Sequence, residues 1–126
     1  MTDLCPFELG HPRTELRREL VDAVLRGEKT ATAGLLSEYE AEGVQPGAIG
    51  ARRVLLGYDD EPVAVVEITE SRVVPAAAID EQFARDEGEG LETVDDWREA
   101  HERFFGCPIG PDTQIVAVRF RVVEQL

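Results

Sequence analysis

The chain has 126 residues, 43% of them hydrophobic, with 26 acidic against 13 basic side chains and a formal charge of −13. That is room for one core and one domain, expected over residues 1–126, and the charge excludes broad nonspecific binding to phosphate backbones, leaving only a local basic pocket for such a partner. No apolar run approaches the roughly 20 residues that span a bilayer, and residues 1–6 lack the basic and apolar regions of a secretion signal, so a cytoplasmic protein with no membrane partner is expected.

In chain order, residues 14–26 place Leu16, Leu20, Ala23 and Val24 at i, i+4, i+7 and i+8, with Arg17, Arg18 and Asp22 elsewhere around the wheel. This predicts an amphipathic helix stopped at Gly27. Residues 35–41 read as a short helix or an ordered loop, after which Pro46, Gly47 and Gly50 interrupt regular structure. Residues 54–58 read as a strand, 59–62 as a turn and 63–74 as a longer β-rich run, together a hairpin. Ile79 and Phe83 lie four apart in 76–86, which predicts a second helix leading into Glu87-Gly88-Glu89-Gly90.

Thr93 followed by Asp96 has the form of an N-cap, and Val94, Trp97, Phe104 and Phe105 keep to one side of the third helix that follows. Helical spacing without interleaved cations makes that stripe core rather than a base-stacking surface. Gly106 and Pro108 end it. Residues 114–124 put Val116, Val118, Phe120 and Val122 on one face and Arg119 and Arg121 on the other, a half-buried strand. The order predicts an α+β fold whose sheet closes into a small barrel flanked by helices.

Candidate chemistry concentrates in residues 27–34, where Lys29, Thr30 and Thr32 stand between Gly27 and Gly34. In a helical turn Lys29 and Thr32 would share a face; in an extended segment Thr30 and Thr32 would share one and Lys29 would point to the other. A lysine beside threonines can activate a hydroxyl or neutralise an anion, and the plain alternative is a solvated lysine at a helix end. Glu87, on a glycine-broken segment, is the next candidate. Shielding from water would raise its pKa and make it a proton donor, whereas a nearby lysine would pull the other way. Glu67 and Glu70 could pair with Arg52 or Arg53 across the hairpin. No Ser-His-Asp set, phosphate-cradling loop or metal-ligand cluster is evident, so no cofactor or metal is expected. Cys5 and Cys107 read as reduced thiols, and His11 and His101 as isolated.

Gly-Glu-Lys-Thr-Ala-Thr at 27–32, Glu-Gly-Glu-Gly at 87–90, Trp-Arg-Glu-Ala-His at 97–101 and Val-Arg-Phe at 118–120 together resemble the bacterial ASCH-domain proteins, whose fold is related to the PUA RNA-binding barrel. The likeness covers nearly the whole chain. It implies a small β-barrel with flanking helices and a cleft for a small nucleoside or an RNA segment. Some members are amidohydrolases that remove an acyl group from the exocyclic nitrogen of a modified cytidine. On that likeness Thr32 would be the nucleophile, Lys29 would take its proton and Glu87 would donate one to the departing amine, with Thr30, Arg52 and Arg53 in substrate binding. Arg52 or Arg53 would also supply the neighbouring charge that lowers the lysine's proton affinity. Other members are ribonucleases or non-catalytic RNA binders, which is the alternative reading. Two positions depart from the amidohydrolase pattern: Gly34 stands where that pattern has arginine, and Leu91 where an aspartate is usual.

Overall fold

The structure, a computed structural model, describes residues 5–7, 9 and 14–126. Its strands are β1 (Cys5–Phe7), β2 (Ala31–Leu35), β3 (Arg52–Leu56), β4 (Pro62–Pro75) and β5 (Gln114–Gln125). They form one five-stranded sheet in the order β1-β3-β4-β5-β2. Four strands pair antiparallel, and β1 lies parallel beside β3. The register of β4 shifts between Val65 and Val66 and again between Ile68 and Glu70. Such irregularities bend a strand and increase its twist, and here they curl the sheet into a half-barrel. The α+β architecture with a barrel-like sheet is therefore as expected.

Helices α1 (Glu15–Leu25) and α2 (Leu36–Glu42) cover one face of this sheet, and α3 (Glu81–Asp86) and α4 (Val94–Phe105) the other. On α1, Leu20, Val21 and Val24 pack against Leu55, Ala64, Val66 and Phe120. Phe83 and Trp97, from α3 and α4, pack with Ala31, Leu35, Ile115 and Ala117 from β2 and β5. β5 thus feeds both cores by alternation. Ile115 to Val118 are all buried, so only its C-terminal half is the half-buried strand that the valine spacing predicts. A strand covered on both faces loses the polar alternation that marks a solvated face.

Other expectations need correction. Residues 31–35 carry no clear strand pattern, yet β2 is fixed by five consecutive pairs with β5, from Ala31 opposite Arg119 to Leu35 opposite Ile115. The expected helix over 76–86 divides into one 3-10 turn at Ala76–Ala78 and α3, because Asp80 takes an extended backbone and its Oδ1 accepts from Phe83 N at 2.8 Å as the cap of a new helix. Arg17 is buried, its Nε donating to Leu9 O and its Nη1 meeting Asp60, although the helical wheel sets it off the apolar stripe. Phe104 is 48% exposed, because α4 turns Trp97 and His101 inward and leaves Phe104 toward solvent. The Thr93 cap is present, with Oγ1 accepting from Asp96 N at 3.0 Å. Cys107 is a free, exposed thiol. His11, Arg13 and the side chain of Cys5 lie outside the described residues. No helix among the described residues is long and apolar enough to cross a membrane.

Candidate functional site

The exits of α1 and α3 are stitched together. Beyond Gly27 the backbone of Glu28 and Lys29 folds back on Ala23 O, and Thr30 N donates to Asp86 O at 2.8 Å. The two segments approach so closely that a Cβ on Gly88 would stand 2.5 Å from Glu28 O and 2.7 Å from Lys29 Cα. Gly88 also has φ +69°, a conformation that side chains disfavour. Only glycine satisfies both conditions.

This seam buries an ammonium and a carboxylate. Lys29 is 2% exposed and Glu87 1% exposed, and Lys29 Nζ lies 3.7 Å from Glu87 Oε1 although 58 positions separate them. The ammonium donates to Ala31 O at 2.8 Å, Glu87 O at 3.1 Å and Glu89 Oε2 at 3.2 Å. An ammonium has three hydrogens, and these three acceptors use them all. Glu87 in turn accepts from the indole Nε1 of Trp97 and lies 3.3 Å from His101 Nε2. The other imidazole nitrogen, Nδ1, is 2.8 Å from Trp97 O. A carbonyl oxygen can only accept, so Nδ1 carries a proton; with Nε2 facing a carboxylate, the geometry favours the doubly protonated ring.

The electrostatics agree. Burial pushes the Glu87 carboxyl up, but the His101 hydrogen bond, the Lys29 and His101 charges and the Trp97 hydrogen bond outweigh it and hold the group below the usual carboxylate range. Burial likewise pushes His101 down, and the hydrogen bond to Glu87, its charge, the Trp97 carbonyl and the Glu89 charge together hold it above its ordinary value. Glu87 is therefore held toward its ionised form, with His101 first and Lys29 second among the groups that outweigh burial.

Around this cluster stand further polar groups. Arg119, paired opposite Ala31, sends Nη1 to Asp86 at 2.6 Å and Nε to Glu70 at 3.4 Å, with its guanidinium over the Phe83 ring. A surface pocket of about 500 Å3 opens where α1 ends against the C-terminal half of β5, with Arg26, Gly27, Lys29, Thr30 and Arg121 in its lining. That volume suits a small molecule.

The sequence profile described as the ASCH domain matches residues 8–124. The chain belongs to the ASCH domain family. A crystal structure of an Enterococcus faecalis V583 protein shares 30% identity over 96% of this chain and 77% of its own, with a TM-score of 0.84. The ASCH domain of Lactobacillus crispatus JV V101 shares 28% identity over 96% of this chain and 80% of its own, with a TM-score of 0.82. No curated protein matches.

In this ASCH domain Lys29 and Glu87 meet, as their types suggest, and Thr32 is not brought to them. Thr32 stands on β2 between Ala31 and Ala33, which both pack toward the core under α3 and α4, so strand alternation turns its hydroxyl to the other face. Of the two readings for this segment the extended one holds. Thr30 is exposed, with Oγ1 at 3.4 Å from Asp86 O. Arg52 and Arg53 lie on β3, three strands along the sheet from β2; Arg52 Nε pairs with Glu67 Oε2 at 3.3 Å and Arg53 Nη1 donates to Arg52 O. The charges beside Lys29 are carboxylates, so the arginine neighbour expected for it is absent from that cluster.

Sequence reasoning missed His101, the indole N–H of Trp97, Glu89 and Arg119. The i, i+4 spacing of Trp97 and His101, whose rings stack at 4.3 Å, was the available signal for the histidine. At the two departures from the family pattern, Gly34 leaves room for Tyr39, whose Cε1 would come within 3.0 Å of a Cβ there, and Leu91 packs on the core of Trp97 and Phe83.

Proposed function

We propose that this ASCH domain hydrolyses the exocyclic amide of a small modified pyrimidine nucleoside, with N4-acetylcytidine as the test substrate. The observation that carries this reading is the apposition of Lys29 and Glu87 in a seam adjoining a pocket of nucleoside size. The formal charge of −13 supports a small nucleoside over an RNA segment, because each backbone phosphate would have to be neutralised against an adverse field. In the reaction water's oxygen bonds to the acyl carbon, the carbon–nitrogen bond breaks and the nitrogen leaves protonated, giving cytidine and acetate.

The roles differ from those the family likeness implies. Lys29, an ammonium in this geometry, polarises the acyl oxygen rather than taking a proton. Glu87, ionised, fixes that ammonium instead of donating a proton. Thr32 faces away and is not used, while Thr30, exposed beside the pocket, contacts the sugar or base. Arg52 and Arg53 are left outside the substrate site.

The test is chromatographic detection of cytidine released from N4-acetylcytidine by the wild type, Lys29→Gln, Glu87→Gln and Thr32→Ala, with the fluorescence of the single tryptophan, Trp97, reporting that each is folded. Turnover by the wild type and Thr32→Ala but not by the other two is expected. A wild type that releases no cytidine at high enzyme concentration, yet binds an RNA oligomer with an affinity that falls as salt rises, would replace this reading with the RNA-binding alternative.

A further inference from the structure

Lys29 is the only lysine in the chain; the other 12 of its 13 basic side chains are arginines. At every other lysine-or-arginine position the chain carries a guanidinium. At position 29 it places a compact point charge and seals it in, with the side chain 1% exposed. An amine so enclosed meets a ligand only if one of its three acceptors gives way.

The three are not equivalent. Ala31 O belongs to β2, where pairing with β5 holds the backbone, and Glu87 O ends α3 beside the close approach at Gly88. Neither carbonyl can leave without taking apart the seam. Glu89 Oε2 is different: it is the one side-chain partner within hydrogen-bond distance, and its side chain is 28% exposed, against 2% for that of Glu87. Glu89 also stands between Gly88 and Gly90, both with positive φ, so its backbone is flanked by the two residues most tolerant of rotation. Among the described residues it is the outward stopper on a buried cation.

We infer that the Glu89 carboxylate is a built-in surrogate for the ligand: it occupies the place on Lys29 that an acceptor oxygen of the substrate takes, and swings outward when that oxygen arrives. The oxygen it stands in for is an acceptor placed at about 3 Å from the ammonium, and the carbonyl oxygen of an amide meets that requirement with one lone pair. This rests on the proposed nucleoside site only for the identity of the incoming group. The covering of Lys29 by Glu89 is a property of the free protein.

The wild type already excludes weak competitors by this device, since any ligand must outcompete an internal carboxylate at the same ammonium. Removing the carboxylate lowers that threshold, so affinity for a carbonyl-bearing ligand rises. The effect acts on binding, as an internal competitor reduces apparent affinity by the fraction of time it occupies the site.

Because no second lysine exists, acylation by acetic anhydride at neutral pH, followed by mass spectrometry of the peptide that contains residue 29, reads this amine directly. Glu89→Ala removes the cover, whereas Glu89→Gln removes the charge but keeps an acceptor oxygen of the same reach. Labelling of Lys29 in Glu89→Ala at least tenfold faster than in the wild type, with Glu89→Gln staying close to the wild type, is the expected result. Equal rates in Glu89→Ala and the wild type would overturn the inference, and so would Glu89→Gln matching Glu89→Ala, which would make the effect one of charge alone. Trp97 fluorescence checks that the variants remain folded, and Glu89→Ser replaces the alanine variant should it unfold. Protection of Lys29 by N4-acetylcytidine is scored separately. Fast labelling in Glu89→Ala without protection by the nucleoside would keep the gate and reject the proposed substrate.

Discussion

Two sets of cations and carboxylates hold this sheet together, and they differ in where the water is. On the surface, Glu67 takes Arg52 at 3.3 Å and Arg121 at 3.0 Å, with side-chain exposures of 56% and 63% for the two arginines. At the α1–α3 seam, Lys29, Glu87 and His101 make comparable contacts with almost no exposure. The surface set is screened and replaceable, whereas the buried set has no water to fall back on, so every hydrogen must find a named acceptor. The described residues leave no buried side-chain nitrogen or oxygen without a partner. The same charges are thus an ornament in one place and a constraint in the other.

The largest effect should come from opening the buried set. Trp97→Ala removes a fully buried ring and the indole donor to Glu87 together, and a loss of about 3–5 kcal/mol in denaturant melts is expected. Lys29→Met leaves Glu87 buried opposite an apolar group, for a loss of about 3–5 kcal/mol by the same measurement, as when one member of a buried pair is deleted. A midpoint unchanged in either variant would mean that the seam is wetter than its geometry. This also means that loss of activity in a Lys29 variant is interpretable only alongside a melt.

Gly88→Ala should come next, at about 1–3 kcal/mol, because its φ of +69° and the neighbouring Glu28 carbonyl both oppose a Cβ. Crystals or nuclear magnetic resonance spectra of that variant should show residues 28–30 displaced from α3. Unperturbed spectra at the seam would show that it tolerates more than a glycine.

Dependence on pH sharpens the comparison further. His101 is raised from 6.5, so its contribution is fully present below that value and is lost as pH rises through the higher folded-state pKa. Glu87 is lowered from 4.5, so its contribution is present above that value and is lost as pH falls through the lower folded-state pKa. The two overlap fully between pH 4.5 and 6.5. Thermal melts from pH 5 to 9 should show the wild type losing stability on the alkaline side, and His101→Gln losing less across that range. Identical slopes for the two proteins would remove the imidazolium from the cluster.

The smallest effect is expected at the surface set. Arg52→Ala should leave the melting midpoint within error in moderate salt, since Arg121 still faces Glu67 and the site is wet. A clear shift there would erase the contrast between the two regions.

The amphipathic α1, the hairpin of β3 and β4, the capped α4 and the apolar face of β5 were all legible in the sequence, because each is written in local spacing that burial then rewards. Lys29 and Glu87 stood out by residue type and by the family likeness. His101 did not, since a single histidine on a helix looks the same whether it meets solvent or a carboxylate.

What the sequence by itself determined, then, is the set of local periods, caps and breaks from which an α+β half-barrel assembles. The tertiary structure alone decided that residues 31–35 become a strand, since β2 depends on pairing with β5, far along the chain. It alone decided which face of that strand Thr32 takes and that Glu87 is buried beside Lys29 and His101, which hold it below the usual carboxylate range. Strand pairing and desolvation are properties of neighbours brought together across 58 positions, and no local pattern encodes the water that folding removes.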